Sequence, residues 1–159
     1  MKLNLLRNFD PNNCLTGYVN LCNNAPPNNE ECKQSDLINL DPFCCDAEAT
    51  EIFADDLIDY LNPQAIHMIF DSWIKKLGHG GKLVVTGIET YSVCKAANLR
   101  AIDIGNLNLL LRGSIDNPFM AKKFTYNIED IVGLMKSKGL KVVKASINDL
   151  RYCVVGERD

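Results

Sequence analysis

The sequence predicts an α/β domain: an open, mostly parallel sheet with an antiparallel hairpin at its edge and helices on both faces. Three observations carry this reading. Short apolar runs of strand type alternate with helical patterns over the first two thirds of the chain, a helix, glycine turn and strand follow one another at its centre, and two strands in succession close it. At 159 residues the chain is read as one domain spanning 1–159, long enough to bury a core without disulfides or a metal.

Residues 2–6 (Lys-Leu-Asn-Leu-Leu) alternate as a strand, and Asn8 to Asn13 that follow are turn formers. Gly17 to Cys22 form a second strand, ended by a loop in which Pro26 and Pro27 forbid regular pairing. Thr50 to Ala54 form a third, closed by Asp55 and Asp56. A helix is predicted from near Pro63, with Asn62 as cap and Ile66, Ile69, Phe70, Trp73 and Leu77 on one face, ending at Gly78. The glycine turn His79-Gly80-Gly81 then feeds a buried strand from Lys82 to Gly87. From Tyr91 to Arg112 the pattern is helical but broken at Gly105, and Asp116-Asn117-Pro118 reads as the closing turn. A further helix runs from Ile128 to Lys138 with Asn127 as cap. Leu140 to Ile147 and Arg151 to Gly156 make the terminal hairpin, joined at Asn148-Asp149.

Charge and composition exclude several functions. Lys and Arg number 17 against 20 Asp and Glu, with no basic run longer than two, so nucleic acid is not an expected partner. No apolar stretch approaches the ~20 residues of a membrane span. Seven scattered cysteines with no C-x-x-C pair argue for reduced thiols, no metal site and a cytoplasmic location, and the N-terminus does not read as an export signal. His67 and His79 have no partner in the sequence that suggests catalysis.

In an open α/β sheet the binding crevice lies beyond the carboxyl ends of the strands. The candidate segments therefore follow Leu6, Cys22 and Ala54. Several stretches in sequence order resemble one branch of the class I S-adenosylmethionine-dependent methyltransferases, a small Rossmann-like type related to the broad type 11 group. Lys2 to Leu5 and Gly17 to Leu21 are similar to its first two strands, Ser35 to Phe43 to its acidic segment ending in Leu-Pro-Phe, and Glu51 to Leu61 to its strand followed by Leu-Glu-His-Leu. Trp73 to Leu77, then Gly80-Gly81-Lys82-Leu83, are similar to its tryptophan, leucine and Gly-Gly-x-Leu stretch.

The resemblance implies S-adenosylmethionine as cofactor and a small-molecule or sugar-like methyl acceptor. It places Leu5, Leu6 and Arg7 at the turn after the first strand, Cys22 at the ribose, Asp36 and Leu37 near the adenine, and Ala54, Asp55 and Asp56 under the methyl-bearing end. Asp59 and Tyr60 stand where the family has Glu and His. The chain departs from the family at two cofactor positions. Leu6-Arg7-Asn8 replaces a glycine-rich turn that lets the backbone approach the ligand, and Cys22 replaces an acid that accepts two ribose hydroxyls. Arg7 is a cation available to an anionic ligand. These departures keep a second function open, a binding or assembly module that retains the fold without the cofactor and has another protein as partner. The short chain fits either a trimmed active site or a lid from another subunit of a homo-oligomer. No catalytic residue is expected in the sequence, because methyl transfer from an activated sulfonium demands mainly alignment and exclusion of water. A nucleotide-dependent oxidoreductase is disfavoured, since no G-x-G-x-x-G turn is present. The enzymatic reading requires room for an adenosyl ligand at these strand tips, beside Leu6 and Phe9.

Overall fold

Among the described residues seven strands form one sheet: β1 (Lys2–Leu6), β2 (Val19–Cys22), β3 (Lys33–Gln34), β4 (Ala49–Asp55), β5 (Leu77–Ile88), β6 (Lys141–Asn148) and β7 (Arg151–Glu157), in the order β3-β2-β1-β4-β5-β7-β6. The computed structural model describes residues 1–114 and 120–159, so the turn expected at Asp116 to Pro118 lies outside the described residues. β1 to β5 are mutually parallel; β7 is antiparallel to both β5 and β6. The edge hairpin is there, with one refinement: the reversed strand β7 is threaded inside it and β6 is outermost. Lys141 and Lys144 are exposed on β6, and its register shifts between Val142 and Lys144, both of which discourage pairing with another chain.

Two helices build the core. α1 (Ile66–Lys76) follows a 3₁₀ turn, Pro63–Ala65, whose Asn62 cap accepts from the Gln64 N–H at 3.0 Å. It buries Ile66, Ile69, Phe70 and Trp73. The helix preceding the hairpin opens on an Asn127–Asp130 capping box and buries Ile131, Leu134 and Met135. Both pack on one sheet face, against Leu3, Leu5, Leu21, Ile52, Ala54, Leu83, Val85, Tyr152 and Val154. The segment between β3 and β4 sends Leu37, Leu40 and Cys44 into the same core.

The opposite face is covered differently. A second apolar cluster of Leu6, Cys22, Ala25 and Cys32, with Phe9 and Cys14 packed on it, comes from the ends of β1 and β2 and the loops after them, and among the described residues no helix contributes to it. Farther along this face Phe53, Val84 and Val155 are only half-buried. The helical cover expected on both faces is thus unevenly divided, because the β1–β2 and β2–β3 connections are short and rich in Asn and Pro, which favour turns over helix.

Following β5, α2 (Thr90–Asn98) and α3 (Ile104–Arg112) stand at the carboxyl edge; the helix before β6 is therefore α4 (Ile128–Ser137). The helical stretch breaks between Asn98 and Ile104, with Arg100 at φ 56°, and not at Gly105, which lies inside the first turn of α3. Asp103 decides this by capping α3, accepting from the Asn106 N–H at 2.9 Å.

The glycine turn expected before β5 is a bulge within it. Ala49 pairs with Leu77 and Glu51 with Lys82, so the intervening residues loop out. A Cβ on Gly81 would stand 2.8 Å from the Gly78 carbonyl oxygen and 2.9 Å from that of Ala49, which only glycine avoids.

Candidate functional site

The sheet order reverses between β1 and β4, and the loops leaving these strands part there, which opens a crevice at their carboxyl ends. Arg7 is the first residue past β1. Asp55 ends β4 and Asp56 follows at φ 47°, a left-handed turn that Asp tolerates better than most residues, fixed by its N–H donating to the Thr86 carbonyl at 3.0 Å.

The side chains form a charge cluster. Arg7 Nη1 lies 3.8 Å from Asp56 Oδ2, and its guanidinium stacks 4.1 Å over the Tyr60 ring. Lys122 Nζ donates to Asp59 Oδ2 at 2.7 Å and stands 3.8 Å from Asp56 Oδ1, with both Lys122 and Asp59 buried. The Asp59 carbonyl accepts from the Lys123 and Phe124 N–H groups, which docks that segment over the crevice. Asp55 accepts from the Thr86 hydroxyl and, at 2.7 Å, from Arg151 Nη2. Four buried polar atoms here have no hydrogen-bond partner among the described residues: Arg7 Nε, Asp56 Oδ1, Asp59 Oδ1 and Tyr152 Oη.

Three hollows meet at Arg7 and Met120. The largest of them, about 760 Å³, is lined by Arg7, Phe9, Asn23, Asn24, Tyr60 and Lys123 among others, and is of a size that takes a small organic ligand. A second, about 270 Å³, lies between Tyr60, Lys122 and α3 residues Leu109 and Leu110. Leu6 and Phe9 therefore do not fill the strand tips. Leu6 turns into the second cluster, where Phe9 packs on it, and the hollow remains open beside Phe9.

Burial pushes the Asp59 carboxyl up to about 6, with Asp56 adding to the rise and Lys122 opposing it. Burial likewise raises the Tyr60 and Tyr152 hydroxyls. Because the folded Asp59 value lies above its ordinary 3.8, the native state binds more protons than the unfolded chain between the two. The stabilisation is full below the lower value and is lost as pH rises through the upper one. Urea midpoints are expected to fall between about pH 4 and pH 7 in the wild type. Asp59→Asn should remove that slope, and an unchanged slope in the variant would assign the titration elsewhere.

Of the residues singled out from sequence, the structure brings Arg7, Asp55 and Asp56 together at the crevice. Leu6 borders one hollow while its side chain is buried. Leu5, Leu37 and Ala54 are wholly buried in the main core, and Leu37 (φ 62°) hands its carbonyl to Trp73 Nε1 at 2.7 Å. Cys22 is buried against Cys32. Asp36 is exposed and accepts from the Ile38 and Asn39 N–H groups in a turn. Tyr60 joins the site and Asp59 supports it from beneath; His67 and His79 are exposed elsewhere. Sequence reasoning missed Asn23, Asn24, Met120, Lys122 and Arg151. The two asparagines directly follow β2 and were findable by position; the other three reach the site from the distant end of the chain. Among the described residues no group of three or more His, Cys, Asp and Glu side chains is placed to hold a metal ion, and no helix is long and apolar enough to cross a membrane.

The same architecture recurs among solved methyltransferases. An S-adenosylmethionine-dependent methyltransferase from Methanosarcina mazei aligns with a TM-score of 0.66 at 12% identity, covering 99% of this chain and 91% of that one. One from Mesorhizobium loti gives 0.64 at 10% identity, covering 99% and 90%, and one from Archaeoglobus fulgidus 0.62 at 10%, covering 99% and 85%. No protein-family model and no curated protein matches the sequence. The chain thus has the class I S-adenosylmethionine-dependent methyltransferase fold, and at this identity the likeness defines the fold alone.

Proposed function

We propose that this chain binds S-adenosylmethionine in the crevice and transfers its methyl group to a small-molecule acceptor. The observation that carries the reading is the pair of buried atoms Arg7 Nε and Asp56 Oδ1, without a hydrogen-bond partner among the described residues, at the point where the strand order reverses and on two residues that together line a hollow of about 450 Å³. A buried donor on a cation and a buried acceptor on an anion, left open on adjacent side chains, complement the carboxylate and ammonium of an amino-acid end group. Arg7 takes over by charge what a glycine turn does by close backbone approach. The stack on Tyr60 holds its guanidinium in place. Asn23 and Asn24, directly after β2, offer amide donors and acceptors where Cys22 offers none. The cofactor, when bound, supplies an activated methyl group. The chain's own part is to bind, orient and exclude water, with Leu109, Leu110 and Ile88 as the apolar wall of the adjoining hollow for the acceptor.

Calorimetric titration with S-adenosylhomocysteine tests this. Binding is expected, weakened roughly ten- to a hundredfold by Arg7→Ala or Asp56→Asn through loss of one charged hydrogen bond. No heat at millimolar ligand would end the enzymatic reading. It would favour a second reading, a binding or assembly module that has another protein or a further copy of this chain as partner. Two observations support that alternative: the β1 and β2 tips close into an apolar cluster around Leu6 and Cys22, and α2, the residue that ends it and α3 expose Tyr91, Leu99, Ile104 and Leu109. The thiol-rich composition supports a cytoplasmic setting for either function.

A further inference from the structure

Three thiols converge at the carboxyl end of β2. Cys22 and Cys32 are buried with their sulfur atoms 3.3 Å apart, and half-buried Cys14 packs on the same cluster in contact with Cys32. The remaining side chains of the shell, Leu6, Phe9 and Ala25, are apolar, and the thiols' other partners among the described residues are backbone carbonyls, that of Asp10 for Cys14 Sγ at 3.7 Å and that of Lys33 for Cys32 Sγ at 3.9 Å. Both backbones that carry the pair are anchored. The Cys32 N–H donates to Asn29 Oδ1 at 2.9 Å, the Ser35 N–H donates to the Cys22 carbonyl at 2.8 Å, and Asn20 Nδ2 donates to the Glu31 carbonyl at 3.0 Å. The closeness of the sulfurs is therefore fixed by β2–β3 pairing and the Asn29 turn.

We propose that Cys22 and Cys32 form a redox-active pair that closes into an intramolecular disulfide on exposure to a low-molecular-weight disulfide, with Cys14 as the thiol of entry. Cys14 attacks the reagent, forming a mixed disulfide and releasing one reagent thiol. Cys32 attacks the Cys14 sulfur, giving Cys14–Cys32 and releasing the second reagent thiol. Cys22 then attacks the Cys32 sulfur, forming Cys22–Cys32 and returning Cys14 to the thiol. Two cysteine thiols are oxidised and one reagent disulfide is reduced. The final step shortens the sulfur separation from 3.3 Å to the covalent distance of about 2.05 Å. The disulfide ties the end of β2 to the residue entering β3 and closes the loop that begins with Asn23 and Asn24, so it restrains one wall of the largest of the three hollows at Arg7. This inference does not depend on which ligand the crevice takes.

The test uses the full chain incubated with glutathione disulfide, quenched in acid, denatured, alkylated and mapped by mass spectrometry. Cleavage after Tyr18 and after Glu31 places the three thiols on separate peptides. The expected product is a Cys22–Cys32 cross-linked pair with Cys14 recovered alkylated. Cys14→Ser should slow its formation by about tenfold or more, since the buried pair loses its accessible relay. Cys22→Ala should stop the sequence at a Cys14–Cys32 disulfide. Recovery of Cys22 and Cys32 as free thiols, under conditions that load exposed Cys45 and Cys94 with glutathione, would overturn the proposal. So would zinc bound to these thiols in the purified protein and released by a thiol-blocking reagent.

Discussion

Trp73→Ala is expected to lower the free energy of unfolding by about 3–5 kcal/mol. Trp73 is fully buried on α1, with its ring 5.6 Å from that of Phe70 and its Nε1 donating to the Leu37 carbonyl at 2.7 Å. Truncation leaves a cavity in the main core. It also strips the partner from a buried carbonyl in a segment that needs it, because Leu37 adopts a left-handed backbone (φ 62°) that costs a leucine about 1–3 kcal/mol. Trp73→Phe separates the two contributions. It keeps much of the ring packing, loses the hydrogen bond, and should cost about 1–3 kcal/mol. Urea denaturation followed by circular dichroism measures both variants without relying on the tryptophan. A loss below about 1 kcal/mol for the alanine variant would mean that the segment between β3 and β4 is held by other contacts.

That segment shows where the sequence was legible and where it was not. β1, β4, α1 and α4 announce themselves because their apolar residues recur at the period of the element, and because Asn62 and Asn127 stand at helix starts. β3 does not, since Lys33 and Gln34 are both exposed and the strand exists only through its pairing with β2. The break between α2 and α3 was misplaced because glycine is the usual punctuation, while the Asp103 cap outranks it here. At the site, Arg7, Asp55 and Asp56 could be read from sequence because a strand's end fixes its neighbours locally. Lys122 and Arg151 could not: they pair with Asp59 and Asp55 across 63 and 96 residues of chain. Cys22 stood out as a departure from a family pattern, yet the structural reason for a thiol there is Cys32, and a spacing of ten residues is no motif.

The Lys122–Asp59 pair carries the second large effect. Lys122→Met should cost about 3–5 kcal/mol at pH 8, because removing one partner strands the other's charge in the core. Among the described residues Asp59 Oδ1 already lacks a hydrogen-bond partner, and Oδ2 has Lys122 alone. Without the ammonium, the strongest attraction opposing burial goes and only the weaker one from Arg151 remains, so the folded carboxyl must rise above its value of about 6. The penalty then depends on pH with a definite sign. At about pH 5 Asp59 takes up a proton, the stranded charge disappears and the loss shrinks; at about pH 8 it is felt in full. Adding Asp59→Asn to Lys122→Met should recover stability at about pH 8 and change little at about pH 5, a non-additivity that marks direct coupling. A cost of Lys122→Met that stays level across this range would show that Lys122 acts through packing over Tyr60, 5.7 Å from its ring centre, and not through Asp59. The same variant bears on the crevice. Lys122 lies 3.8 Å from Asp56 Oδ1 and its neighbours dock on the Asp59 carbonyl, so loosening it frees the segment that walls the hollow beside Arg7.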